Sequence, residues 1–139
     1  MKKRTYLDSN VLISAFQGQD DISVTCLRIL DDPGRTLVVS DYVRLEVLPK
    51  PIYHQRVEEV EFMQAILDAA ENVEASGELA DLAFDLAKTY NLSPIDALHA
   101  AAAYVGRADE LVTMEKPTKP LCQIRELTVV SLYRPPCSV

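Results

Sequence analysis

Ser93-Pro94-Ile95-Asp96-Ala97-Leu98-His99-Ala100-Ala101-Ala102-Ala103 is the stretch on which the fold assignment turns. Ser93 is a favoured helix N-cap, Pro94 suits the first helical position, and Asp96 falls at the third. The pattern is close to a capping box, with Asp in place of the longer Glu or Gln, so a local structural task is open to Asp96. The alanines predict a thin helix able to lie close against a sheet, with Ile95, Leu98 and Ala102 on one stripe at helical spacing. Asp96 points away from that stripe, beside His99. Free amides and the helix dipole favour negative charge there. Whether this carboxylate caps a helix or does chemistry depends on which other acids the fold delivers to it.

Upstream, Arg4-Thr5-Tyr6-Leu7 reads as a short strand ending at Asp8, with Ser9-Asn10 opening a helix that carries Val11, Leu12, Ala15 and Phe16. Asp20 or Asp21 starts a second helix, and Asp31-Asp32-Pro33-Gly34 turns the chain into a buried strand, Thr36-Leu37-Val38-Val39. Ser40 then caps a helix from Asp41 to Leu48, ended by Pro49 and Pro51. On it Glu46 follows Val43 by three residues and Tyr42 by four, which puts a carboxylate at the edge of an apolar face. A long helix is expected over about 53–70, a brief strand at Val73, and another helix opening at Ser76-Gly77-Glu78. Beyond the alanine helix, Glu110-Leu111-Val112-Thr113 and Leu127-Thr128-Val129-Val130-Ser131-Leu132 read as strands. Between them runs Met114-Glu115-Lys116-Pro117-Thr118-Lys119-Pro120, a loop with two lysines and two prolines.

Strands alternating with helices predict an α/β fold: a single-domain, three-layer α/β/α arrangement with a central parallel sheet. The domain spans 1–139, with about 133–139 as a loose C-terminal tail. At 139 residues, 48% hydrophobic and 25% charged, the chain can bury a real core as one globular unit. No apolar run reaches membrane-spanning length, and the basic start lacks the apolar core of a signal peptide, so a cytoplasmic protein with no membrane partner is expected. Cys26, Cys122 and Cys137 are odd in number and widely spaced, and with two histidines no zinc-ligand spacing appears. With four glycines the chain also has no phosphate-cradling loop.

The net charge of −7 argues at first against a nucleic-acid partner. Its distribution weakens that objection. Nine acids and no Lys or Arg lie between Glu58 and Asp85, so the remaining twelve acids face all fourteen bases elsewhere. The acidic flank reads as a solvated helix surface or a docking face for a basic partner. The rest of the chain is slightly basic.

Asp8 and Glu115 each follow a strand, while Glu46 and Asp96 each sit early on a helix near a strand edge. A parallel sheet points all its strand C-terminal ends one way, so the four acids can meet at one rim. Two carboxylates about 5 Å apart repel by roughly 3 kcal/mol at an effective dielectric near 20. Several together call for raised pKa values or a divalent cation, and an all-oxygen set suits Mg²⁺ or Mn²⁺.

The run Thr5-Tyr6-Leu7-Asp8-Ser9-Asn10-Val11-Leu12-Ile13 is followed in order by Ser40-Asp41-Tyr42-Val43-Arg44-Leu45-Glu46, Ser93-Pro94-Ile95-Asp96-Ala97-Leu98-His99 and Leu111-Val112-Thr113-Met114-Glu115. Together they resemble the ordered motifs of the PIN domain family over almost the whole chain. The resemblance implies a Mg²⁺- or Mn²⁺-dependent endoribonuclease, a phosphodiester hydrolase acting on single-stranded RNA. Many such proteins are VapC-type toxins of bacterial toxin–antitoxin pairs, so an antitoxin protein and a homodimer are also implied. By the same resemblance Asp8, Glu46 and Asp96 form the metal-binding catalytic core, Thr113 matches the family's polar Ser or Thr, and Ser9 or Asn10 steadies the first acid. The fourth acid of the family is usually Asp in a Thr-Asn-Asp-like run. Here it is Glu115, after Met114 and before Lys-Pro-Thr-Lys-Pro. Lys116, Lys119 and Arg44 are further residues that would contact substrate phosphates. His54 is another, and His99 is taken as a packed helix residue. Two alternatives stand beside the nuclease: a PIN-like RNA-binding module that has lost turnover, and a phosphate-accepting receiver domain. The second is disfavoured because the second good strand ends in Ser40 rather than an aspartate.

Overall fold

A computed structural model describes residues 2–18 and 21–135. In chain order the elements are β1 (Lys3–Leu7), α1 (Ser9–Gln17), α2 (Asp21–Leu30), β2 (Arg35–Ser40), α3 (Asp41–Val47), α4 (Pro49–Tyr53), α5 (Val57–Ala69), β3 (Glu71–Val73), α6 (Gly77–Tyr90), α7 (Pro94–Val105), β4 (Glu110–Thr113) and β5 (Val129–Ser131), with a 3₁₀ turn at Pro120–Gln123. The expected tail falls partly outside this range: 133–135 are described, while 136–139, with Cys137, lie outside the described residues, as does Asp20.

The five strands form one parallel sheet in the order β3-β2-β1-β4-β5. β1 is central, paired with β2 from Lys3↔Arg35 to Tyr6↔Val38 and with β4 from Thr5↔Glu110 to Leu7↔Val112. Successive residues of a strand face opposite sides of a sheet. Tyr6 and Leu7 are both fully buried, as are Leu111 and Val112, so helices cover both faces as the runs of β-formers predict. Chain order reverses between β1 and β4, and in sheets of this kind the crevice beyond the strand C-termini at the reversal is where ligands sit.

The alanine helix becomes α7, which lies against β2, β3 and β4 with α6 packed on it. Ala97 and Ala100 to Ala103 are buried, and only side chains this small let helix and sheet approach so closely. At its end Gly106 makes the tightest approach, since a Cβ there would stand 2.7 Å from Val73 Cγ2. Ile95 and Leu98, expected on the buried stripe, are only half-buried, and Ala97 and His99 take the interior instead. With the sheet on one side and α6 on another, α7 has no single apolar face.

The helix expected over about 53–70 forms as one piece, α5, but starts later, at Val57. Gln55 adopts a left-handed φ of 56° and separates α4 from α5. Pro49 and Pro51 belong to α4 rather than simply stopping its predecessor: they occupy the opening positions of a helix, where the missing N–H has no intrahelical partner to lose. Among the described residues, no helix is long and apolar enough to cross a membrane.

Candidate active site

Asp8 directly follows β1 and stands at the N-cap position of α1, yet its side chain makes no capping hydrogen bond. The carboxylate is instead turned into the crevice and is 5% exposed. Its Oδ2 accepts from Thr113 Oγ1 at 2.8 Å, and its Oδ1 lies 3.8 Å from His99 Nε2. Thr113 ends β4 and is itself held in place: its Oγ1 accepts from the Glu115 backbone N–H at 3.0 Å and from Asn10 Nδ2 at 3.4 Å. Asn10 Oδ1 in turn accepts from the Met114 N–H at 3.0 Å. Asn10 therefore links the start of α1 to the end of β4 and steadies Asp8 through Thr113.

Ser9 serves the second acid. Its hydroxyl donates to Glu46 Oε1 at 2.6 Å. The same oxygen meets His99 Nε2 at 2.5 Å, and the Glu46 side chain keeps 36% exposure. Ligand atoms of Asp8, Glu46 and His99 all lie within 4.8 Å of one another.

Asp96 stands at the third position of α7, half-buried, with its backbone N–H donating to Ser93 Oγ at 3.3 Å as the capping pattern predicts. It is outside the tight group but inside its field, because the charge of Glu46 acts on it. Glu115, half-buried after β4, feels Asp96 and Asp8. Its backbone is pinned by its N–H to Thr113 and by its carbonyl, which accepts from Ser131 Oγ at 2.5 Å.

The pKa values follow this geometry. Burial pushes Asp8 up, with Asp96 and Glu46 adding to the rise, while His99 and the Thr113 hydrogen bond pull the other way. Burial likewise raises Asp96, against Ser93 and His99, with Glu46 adding to the rise. Glu115 is raised by burial, then by Asp96 and Asp8, and relieved in part by Lys119. Glu46 goes the other way: burial raises it, but the hydrogen bonds from His99 and Ser9 outweigh that and leave it below the usual range. A crevice holding one readily ionised and three reluctant carboxylates, with hard oxygen donors throughout, fits a hard divalent cation such as Mg²⁺ or Mn²⁺.

The basic residues divide. Lys119 is exposed, and its charge reaches both Asp96 and Glu115. Lys116 is exposed and turned elsewhere, its Nζ 5.5 Å from the centroid of the Tyr133 ring. Arg44 is exposed beside Asp41 and lines a surface hollow with Leu45, Leu48 and Ile52. His54 is exposed, its ring stacked edge-on to Tyr53. A larger hollow of about 620 Å³, lined by Glu78, Leu82, Tyr104, Arg107, Glu126 and Leu127, opens where β4 and β5 begin, the opposite rim from the acids.

His99 is the member that sequence reasoning left out. It is a packed helix residue, as expected, at 1% exposure, but its imidazole tip reaches the two acids. The only available signal was its place three residues after Asp96, on a helix already assigned to the rim.

The PIN domain family pattern matches residues 5–116 of the chain. Among solved structures, the chain is similar to a toxin–antitoxin complex from Klebsiella pneumoniae, with a TM-score of 0.72 and 23% identity over 93% of this chain and 98% of that one. It is also similar to VapBC2 from Rickettsia felis bound to a DNA fragment from their promoter, at TM-score 0.64 and 20% identity over 92% and 98%. A third is VapC20 of Mycobacterium tuberculosis, described as a sarcin–ricin loop cleaving toxin, at TM-score 0.62 and 11% identity over 88% and 98%. At such identities the likeness is one of fold. No curated protein matches the sequence.

Proposed function

The chain belongs to the PIN domain family, and on that footing we propose that it is a divalent-metal-dependent endoribonuclease acting on single-stranded RNA. The observation that carries this reading is Asp8: a carboxylate at the end of the central strand, 5% exposed, with no capping task, in a crevice shared with Glu46, Asp96 and Glu115. Burying such a charge destabilises the fold unless something compensates it, and one hydroxyl does not suffice.

Asp8, Glu46 and Asp96 are the residues that would hold Mg²⁺ or Mn²⁺, with Glu115 reaching the same field through its longer arm. Bound there, a divalent ion supplies neutralisation of phosphate charge and a more acidic water. The protein contributes orientation. Thr113 and Asn10 fix the Asp8 carboxylate, Ser9 and His99 fix Glu46, and Ser93 with the first turn of α7 stabilises charge on Asp96. Lys119 stands where it can offset phosphate charge. Lys116 and Arg44 lie further round and would meet only a substrate that extends past the crevice. The toxin role, an antitoxin partner, a homodimer, a cytoplasmic location and a single domain over 1–139 belong to the same reading. They are supported by the family and by folds seen in toxin–antitoxin complexes.

The test is cleavage of single-stranded RNA by purified wild-type protein and by Asp8→Asn and Asp96→Asn, with Mg²⁺ or Mn²⁺ and with EDTA. Cleavage by the wild type alone, abolished by EDTA, is expected. Equal cleavage by all three proteins rejects the assignment, and metal-dependent RNA retention without cut ends assigns a binding module instead.

A further inference from the structure

His99 has the geometry of a metal ligand, yet the hydrogen bonds around it leave it no lone pair to give. Ser40 caps α3, and its Oγ accepts from the backbone N–H groups of Tyr42 at 3.2 Å and Val43 at 3.4 Å. A serine oxygen accepts two hydrogen bonds and donates one. With both acceptor sites used, the Ser40 hydroxyl must donate to its remaining neighbour, Tyr6 Oη, at 2.7 Å. The Tyr6 hydroxyl then directs its own proton to its other neighbour, His99 Nδ1, at 2.8 Å. Ser40 and Tyr6 are fully buried and His99 is 1% exposed, so water offers no alternative partners.

The far end of the ring leads to the same assignment by an independent route. Nε2 faces carboxylate oxygens only, Glu46 Oε1 at 2.5 Å and Asp8 Oδ1 at 3.8 Å, with the Ser9 hydroxyl at 3.5 Å already given to Glu46. A bare nitrogen lone pair there would face oxygen lone pairs. Nε2 must carry a proton.

We infer that His99 is a positioning residue and not a metal ligand: a Ser40–Tyr6 relay starting at the cap of α3 holds its ring as the Nε2–H tautomer, which donates to Glu46 and orients that carboxylate towards the crevice. The relay joins β2, β1 and α7, so the aim of Glu46, on α3, is set from three other elements of the fold. The consequence for metal binding rests on the proposed function; the tautomer does not.

The ring nitrogens are read by long-range ¹H–¹⁵N correlation on ¹⁵N-histidine-labelled protein, with a His54→Asn sample leaving His99 as the only histidine. Expected is a protonated Nε2 and a bare Nδ1, in metal-free protein and equally after Mg²⁺ is added. A proton on Nδ1, alone or with one on Nε2, overturns the relay. Loss of the Nε2 proton when Mg²⁺ is added makes His99 a ligand and overturns the inference. Mn²⁺ affinity, read from the spin resonance of free Mn²⁺, supplies the second arm. Residues behind a metal ligand typically alter affinity by about 10–100-fold. His99→Leu is expected to weaken binding within that range, Tyr6→Phe by about tenfold, and His99→Gln, whose amide still donates, less than either. Equal losses for Gln and Leu, in variants whose melting shows them folded, refute positioning. Should wild-type protein bind no Mn²⁺ at all, the proposed function fails, while the tautomer still decides the relay.

Discussion

Asp8→Asn should uncouple stability from metal. Oxygens of Asp8 and Glu46 lie within 4.8 Å of each other, so at an effective dielectric near 20 they repel by about 3–4 kcal/mol, and the 36% exposure of Glu46 favours the lower end. Replacing one charge with an amide removes that repulsion and leaves an oxygen to accept from Thr113. Metal-free Asp8→Asn should therefore melt at or above the wild type at pH 7. A ligand present at 100 times its Kd stabilises by about 2.7 kcal/mol. For a chain of 139 residues that corresponds to a rise in Tm of about 10 °C. In scanning fluorimetry after EDTA treatment, Mn²⁺ should raise wild-type Tm by about that much and move the variant by no more than a degree or two. A full shift in the variant would place the metal elsewhere. A metal-free variant several degrees less stable than wild type would show that Asp8 supports the fold, contrary to the repulsion argument.

Other outcomes follow from the same geometry. Asp8, Asp96 and Glu115 have folded-state pKa values above the ordinary carboxylate range. Their contribution is complete below an unfolded pKa of about 4 and is lost as pH rises through the raised values. Urea unfolding of metal-free protein should thus show the advantage of Asp8→Asn over wild type growing with pH above about 4; a pH-independent difference contradicts the burial of Asp8. Thr113→Val keeps shape but strips the hydroxyl from a buried carboxylate, which should cost about 1–3 kcal/mol at pH 7, whereas Thr113→Ser should retain most of the stability. Equal unfolding midpoints for Val and Ser would remove Thr113 from the site. Gly106→Ala puts a Cβ 2.7 Å from Val73 Cγ2 and 3.1 Å from the Ala102 carbonyl, and should destabilise by about 1–3 kcal/mol in the same assay. A neutral result would mean that α7 can ride away from the sheet.

Much of the site was legible because its members sit at places with local signatures. Asp8 follows a run of β-formers, Ser93-Pro94 marks a helix start, and Thr113 closes a strand. Parallel order then sends such positions to one rim. Their partners were not legible. Ser9 and Asn10 are adjacent, yet Ser9 serves Glu46, 37 residues away, and Asn10 serves Thr113, 103 away, because consecutive residues at a helix start point in different directions. The same holds for Lys116 and Lys119, alike in sequence, of which one faces an aromatic ring and the other the acids.

The sequence by itself determined the elements and the chemistry available: an alternation of strands and helices, oxygen donors in the order of a PIN domain, and alanines that make α7 thin. Only the tertiary structure decided strand order, the break at Gln55, and what His99 does. Propensity, capping and turn chemistry act over a few residues, so they can be read from neighbours in the chain. The contacts that assign roles in the crevice span 37 to 105 residues and exist only once the sheet brings the ends of β1, β2 and β4 together.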